Sequence, residues 1–265
     1  MFLYIHFKVK LVSILMVEIL KKITENLNKD NLDKAYDLCE KNLEKKIEHI
    51  ISNIKGVILF KKQKFKSAES EFLKSIQLDK DFKDPYKNLL KLNLKTKNFQ
   101  SAIENGKKVI ELDGQRNSIS YFNLALAYDL NKDYKQAIKN YKIVETLNFK
   151  EKKFLFNNMA KCFLGERNIN DAKVYYLKAL EFDQNDKFII NNLLILYLRI
   201  GDKNNIEQFY KKAQHIDENY IEFKLNKSDY FLSKDKVEEA IEILKSIIQS
   251  SKNYIAYTKL AKIYS

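Results

Sequence analysis

The sequence predicts an all-α solenoid, a stack of antiparallel helix pairs, and three observations lead there. Only 5 Gly and 1 Pro in 265 residues leave few of the turns that sandwiches, barrels and doubly wound sheets need. Hydrophobic residues make up 45% of the chain, with 17 Phe and 16 Tyr, enough for a large core and too many for a disordered chain. Above all, an alanine preceded three residues earlier by a bulky side chain recurs along the sequence: Leu32/Ala35, Phe65/Ala68, Phe99/Ala102, Tyr134/Ala137, Ile169/Ala172 and Val237/Ala240. Ile206 fills the slot between the last two, and the successive intervals are 33, 34, 35, 35, 34 and 34 residues.

Taken in order, each unit shows the same two-helix grammar. The unit around Ala35 is degenerate. The next places Gly56 and Leu59 before its alanine and Phe72 after it, at offsets built from threes and fours, as helical faces require. The unit of Ala102 opens at Asp84 and Pro85, read as a capping acceptor followed by a first-turn proline, and continues through Tyr86 and Leu90. In the clearest copy Tyr121, Leu124, Ala125 and Tyr128 form the first helix, Asn131, Lys132 and Asp133 the turn, and Ala137, Tyr141 and Val144 the second helix. Phe156, Ala160, Phe163 and Tyr176 repeat it, followed by Ile190, Leu194, Tyr197 and Tyr210 around a turn at Gly201, Asp202 and Lys203. Ser228, Phe231 and Leu244 bracket Ala240, and Tyr257, Leu260, Ala261 and Tyr264 place one face of a final helix in residues 254–265. Bulky columns fill the space between helices, and small columns mark close backbone approach.

This pattern resembles the tetratricopeptide repeat over about residues 16–265, with seven helix pairs and a final unpaired helix. Tryptophan is absent and the proline expected after each second helix is missing. The resemblance implies a right-handed superhelix whose concave wall is lined by the first helix of each pair. Such a wall binds a protein or peptide partner, and stability comes from stacking neighbouring pairs.

The formal net charge is +13, from 48 basic and 35 acidic residues, yet only Arg116, Arg167 and Arg199 are arginine. Lysines spread along the chain, in place of clustered arginine forks, argue against nucleic-acid binding. Cys39 and Cys162 lie on apolar stripes with no CxxC spacing and are read as buried thiols. No phosphate-binding loop, GxGxxG, HExxH or GxSxG motif occurs, so a non-enzymatic chain without cofactor or metal is expected. Residues 1–15 form an apolar, basic extension interrupted by His6, Lys8 and Lys10. They read as an over-extended gene start or a short amphipathic contact, too broken for a signal peptide or a transmembrane helix. The expected location is cytoplasmic.

The candidate site is a column fourteen residues before the key alanine: Lys21, Ile54, Asn88, Asn123, Asn158, Asn192 and Asn226. Asparagine is a poor helix-interior residue, so five in succession call for a reason. A primary amide offers donors and an acceptor to both the N–H and C=O of an extended backbone. The column resembles the asparagine ladder in the repeats of O-linked N-acetylglucosamine transferase, which implies a peptide-gripping groove. The other reading is that the amides bond between adjacent repeats. Lys87, Lys91 and Lys161 lie beside the column and would attract an acidic or C-terminal carboxylate group. Phe122, Phe154 and Phe188 fall early in first helices, off the core columns, and are candidate wall residues. A rival assignment makes the chain the substrate-recruiting front of a larger transferase, a sulfotransferase or glycosyltransferase, because the sequence stops after an apolar first helix.

Overall fold

A computed structural model describes residues 16–42, 47–114, 117–214 and 220–265. Among them every regular element is an α-helix: α1 (16–28), α2 (Leu32–Lys41), α3 (Glu48–Lys61), α4 (Phe65–Leu78), α5 (Lys83–Lys95), α6 (Phe99–Asp113), α7 (Ser118–Leu130), α8 (Tyr134–Thr146), α9 (Lys152–Gly165), α10 (Ile169–Phe182), α11 (Lys187–Ile200), α12 (Lys203–Ala213), α13 (Ile221–Leu232), α14 (Val237–Ser250) and α15 (Tyr254–Tyr264). The expected extension over residues 1–15 lies outside the described residues. No helix among them is long and apolar enough to cross a membrane.

The helices fall into two compact units, one ending at Asn148 and the other running from Phe149 to Ser265. Consecutive helices pair in each, α3 with α4, α5 with α6 and α7 with α8 in the first, then α9 with α10, α11 with α12 and α13 with α14 in the second, where α15 packs on α14. The alanine columns explain the pairing. Ala35, Ala68, Ala102, Ala137, Ala172 and Ala240 are all fully buried, and so are Ala125, Ala160 and Ser228 in the small column. Where the approach is closest, a Cβ on Gly56 would lie 2.5 Å from two carbons of the Phe72 ring. Cys39 and Cys162 are buried and free, and burial pushes the Cys39 thiol up to about 12.

The turn inside every pair is one device used seven times. Asp30, Gln63, Lys97, Lys132, Arg167, Gly201 and Asp235 all have positive φ, between 58° and 75°. The N–H of the following residue donates five residues back, from Asn31 to Asn26, Lys64 to Leu59, Asn98 to Asn93, Asp133 to Tyr128, Asn168 to Phe163, Asp202 to Tyr197 and Lys236 to Phe231, at 2.8–3.2 Å. This left-handed helix end satisfies carbonyls that the helix leaves orphaned. In three pairs the same following residue then caps the second helix: Asp133 accepts from Gln136 N–H, Asn168 from Asp171 and Asp202 from Asn205.

The expected start of the third unit is corrected. Phe82 is the N-cap of α5, no side chain caps it, and Asp84 sits inside the first turn with Pro85 buried behind it. The helix starts at Lys83, nineteen residues before Ala102, the same repeat position at which α7, α11 and α13 start before Ala137, Ile206 and Ala240; Lys83 also reaches the Asp113 carboxylate at 2.6 Å. Proline is tolerated there because first-turn N–H groups have no intrahelical acceptor.

Two buried polar nodes tie the first unit together. The Lys55 ammonium, on α3, bonds Glu40 of α2 at 2.6 Å and Glu71 of α4 at 3.0 Å. Asp113, at the end of α6, accepts from Lys83 and Lys87 of α5, from Asn117 and from the Ser120 hydroxyl of α7. Burial opposes its charge, but the bonds from Lys83, Ser120 and Lys87 outweigh it and hold the carboxyl below its ordinary value.

Candidate functional site

The second unit contains a concavity of about 300 Å³ between the first helices α9 and α11, closed on one side by Tyr220. Phe154 and Phe188 occupy matching places near the starts of these helices and are about half exposed, at 53% and 51%. The Phe188 ring stands edge-on to Tyr220, centroids 5.5 Å apart. Burial leaves the Tyr220 phenol above its ordinary pKa, so it is a neutral wall.

A charged staple holds this wall in place. Asp186, the N-cap of α11, accepts from the N–H groups of Phe188 and Ile189 at 2.9 and 3.1 Å. Lys153 of α9 bonds the same carboxylate at 2.8 Å and Asp183 at 3.2 Å, while lying 5.5 Å from the Phe154 ring centroid. Burial works against the Asp186 charge, but Lys153 and the two backbone donors prevail and lower its pKa. Bonds to Asp186 and then Asp183 raise that of Lys153. Lys153 is therefore neutralised by its own fold. Lys161, on the same groove, is exposed and forms no ion pair among the described residues.

The floor of the groove carries Asn157, Asn158 and Asn192. Asn192 donates its amide to the Asn157 Oδ1 at 3.1 Å. Two further members of the column behave alike: Asn88 donates to Asn53 at 2.9 Å and Asn226 to Asn191 at 2.7 Å. Asn123 and Asn158 make no side-chain hydrogen bond among the described residues and are half-buried.

Of the residues expected from sequence, this groove thus gathers Phe154, Asn158, Lys161, Phe188 and Asn192. Asn226 is buried and borders a different depression of about 530 Å³ shared with Arg199 and Glu222. In the first unit Lys87, Lys91 and Asn123 border a smaller one of about 140 Å³. Lys87 is committed to Asp113 at 3.2 Å, whereas Lys91 is exposed without an ion pair among the described residues. Phe122 packs its ring 5.6 Å from that of Tyr141. Sequence reasoning missed Asn53, Asn157 and Asn191, although they fall in one column, immediately before the ladder position. It also missed Asp186 and Tyr220, which share the N-cap position of the first helices with Asn117, Glu151 and Asn253, a column that keeps its spacing but not its residue type.

This architecture is that of a tetratricopeptide-repeat solenoid. Residues 119–150, which span α7 and α8, match the family model described as tetratricopeptide repeat. A structure of Pseudomonas aeruginosa pilF has a TM-score of 0.66 at 14% identity, over 82% of this chain and 98% of that one. A tetratricopeptide repeat protein from Parabacteroides merdae gives 0.68 at 12%, over 94% and 98%. YrrB, described as a TPR protein with an unusual peptide-binding site, gives 0.54 at 18%, over 72% and 97%. No curated protein matches the chain in sequence.

Proposed function

We propose that the chain is a non-enzymatic interaction scaffold that binds an extended polypeptide segment along the first helices of its repeats, with the groove between α9 and α11 as the principal contact. The observation that carries this reading is the convergence, in one concavity, of two half-exposed phenyl rings, the uncommitted Asn158 amide and the unpaired Lys161 ammonium. An amide with free donors and acceptor pairs with a strand-like backbone. The rings accept an apolar side chain, and Lys161 favours an acidic neighbour. The YrrB likeness agrees with this use of the fold, since that protein is described as having a peptide-binding site.

The test is an array of random 15-residue peptides probed with the purified chain, followed by calorimetric titration of the tightest binder against Asn158→Ala and Phe188→Ala variants. Losing two backbone hydrogen bonds of about 1 kcal/mol each weakens binding by roughly tenfold or more, with helicity unchanged. Affinity also falls as salt screens Lys161. Binders indifferent to both substitutions would place the interaction elsewhere and overturn the reading.

A further inference from the structure

We propose that the asparagine column is two devices, divided by the residue that stands before it. The preceding column reads Asn53, Lys87, Phe122, Asn157 and Asn191 in successive repeats. Wherever it holds asparagine, the ladder amide of the next repeat donates to it across an interval of 35 residues: Asn88 to Asn53, Asn192 to Asn157 and Asn226 to Asn191. Where Lys87 stands instead, the next ladder residue, Asn123, has no such bond, and Asn158, the first ladder residue of the second unit, makes no side-chain hydrogen bond among the described residues. A lysine ammonium has no acceptor, so a ladder amide that follows Lys87 differs in chemistry from one that follows an asparagine.

Asn88, Asn192 and Asn226 are therefore positioning residues. Each ties the first helix of its pair to the first helix of the preceding one: α5 to α3, α11 to α9 and α13 to α11. Asn123 and Asn158 retain both donors and the acceptor and are the contact residues of the column. That second half rests on the function proposed above; the clamp does not.

A double-mutant cycle on Asn191 and Asn226 tests the clamp, because this pair is the most deeply buried of the three. Thermal midpoints are measured on the full chain for Asn191→Ala, Asn226→Ala and the double variant. Each single change strands a buried amide partner and lowers the midpoint by about 4 °C, and the double variant falls no further than the worse single. Asn158→Ala leaves the midpoint in place. Silent single variants, or fully additive losses, would overturn the clamp.

Titration of the array-selected peptide tests the division of labour. Asn158→Ala weakens it about tenfold, and Asn226→Ala changes it by less than about twofold. Equal weakening by both variants would overturn the division even if the clamp stands. Absence of any binding peptide would remove the contact role together with the proposed function, while the cycle still judges the clamp.

Discussion

Replacing Lys55 by methionine removes the cation that joins α2, α3 and α4, and the loss can be worked from its two partners. The Lys55 side chain is 10% exposed and its ammonium lies between Glu40 at 2.6 Å and Glu71 at 3.0 Å, with the Tyr36 ring centroid 5.4 Å away. Glu40 is half exposed and returns to water at little cost. Glu71 does not: its side chain is 19% exposed and its Oε2 already lacks a hydrogen-bond partner. Breaking a fully buried ion pair costs about 3–5 kcal/mol, and the partial exposure of the carboxylates reduces this to about 2–3 kcal/mol.

The pH window follows from the directions of the shifts. Burial opposes the Lys55 charge, yet the bonds to Glu40 and Glu71 outweigh it and raise the pKa above 10.5, so its contribution is intact below that value and lost only at higher pH. The Lys55 bond holds Glu40 below 4.5, so that contribution is present above 4.5 and fades as the pH falls through the depressed value. Urea unfolding of wild type and Lys55→Met at pH 7 and at pH 3.5 is the assay. The gap between them is expected at pH 7 and shrinks in acid, and adding Glu71→Gln to the variant recovers much of it. Equal stability at pH 7 would refute the reasoning.

Two further outcomes rest on the same geometry. Gly56→Ala sets a methyl against the buried Phe72 ring, 2.5 Å from two of its carbons, and costs about 1–2 kcal/mol despite better helix propensity; Gly106→Ala meets the Leu90 and Leu124 methyl ends at 3.0 Å and the Leu124 Cβ at 3.4 Å and stays within about 0.5 kcal/mol of wild type in thermal unfolding. Asp113→Asn weakens the bonds from Lys83 and Lys87, and because the wild-type carboxyl sits below 3.8, that stability is present above 3.8 and lost below it. Acid titration of the midpoint should be steeper for wild type than for the variant.

Much of the fold is legible in the sequence because side chains at one repeat position meet the same surroundings every time. Ala35, Ala68, Ala102, Ala137, Ala172 and Ala240 announce the contacts between paired helices, and Gly56 announces Phe72. The turns were located at Lys132 and Gly201, but their shared left-handed residue was hidden, since six of the seven positions are not glycine. The candidate groove was half legible. Phe154, Phe188, Asn158 and Lys161 were placed by offset alone and do meet in one groove. The commitment of Lys87 to Asp113 joins two columns, since Asp113 stands eleven residues after its alanine, as Asp79 and Asp183 do. The clamp partners were missed because the bond joins two different columns in two different repeats, and a search within one column cannot see it. The start of α5 at Lys83 follows the common helix-start position of the units, and the local capping pattern of Asp84 and Pro85 hid it.

The most direct measurement is of the Asn158 amide itself. With asparagine labelled by nitrogen-15, side-chain amide signals are assigned by substitution and followed as the array-selected peptide is added. The expected result is a saturable shift and slowed solvent exchange of the Asn158 pair, with the Asn226 pair unmoved because it already donates to Asn191. A peptide that saturates the protein while the Asn158 signals stay in place would contradict the groove.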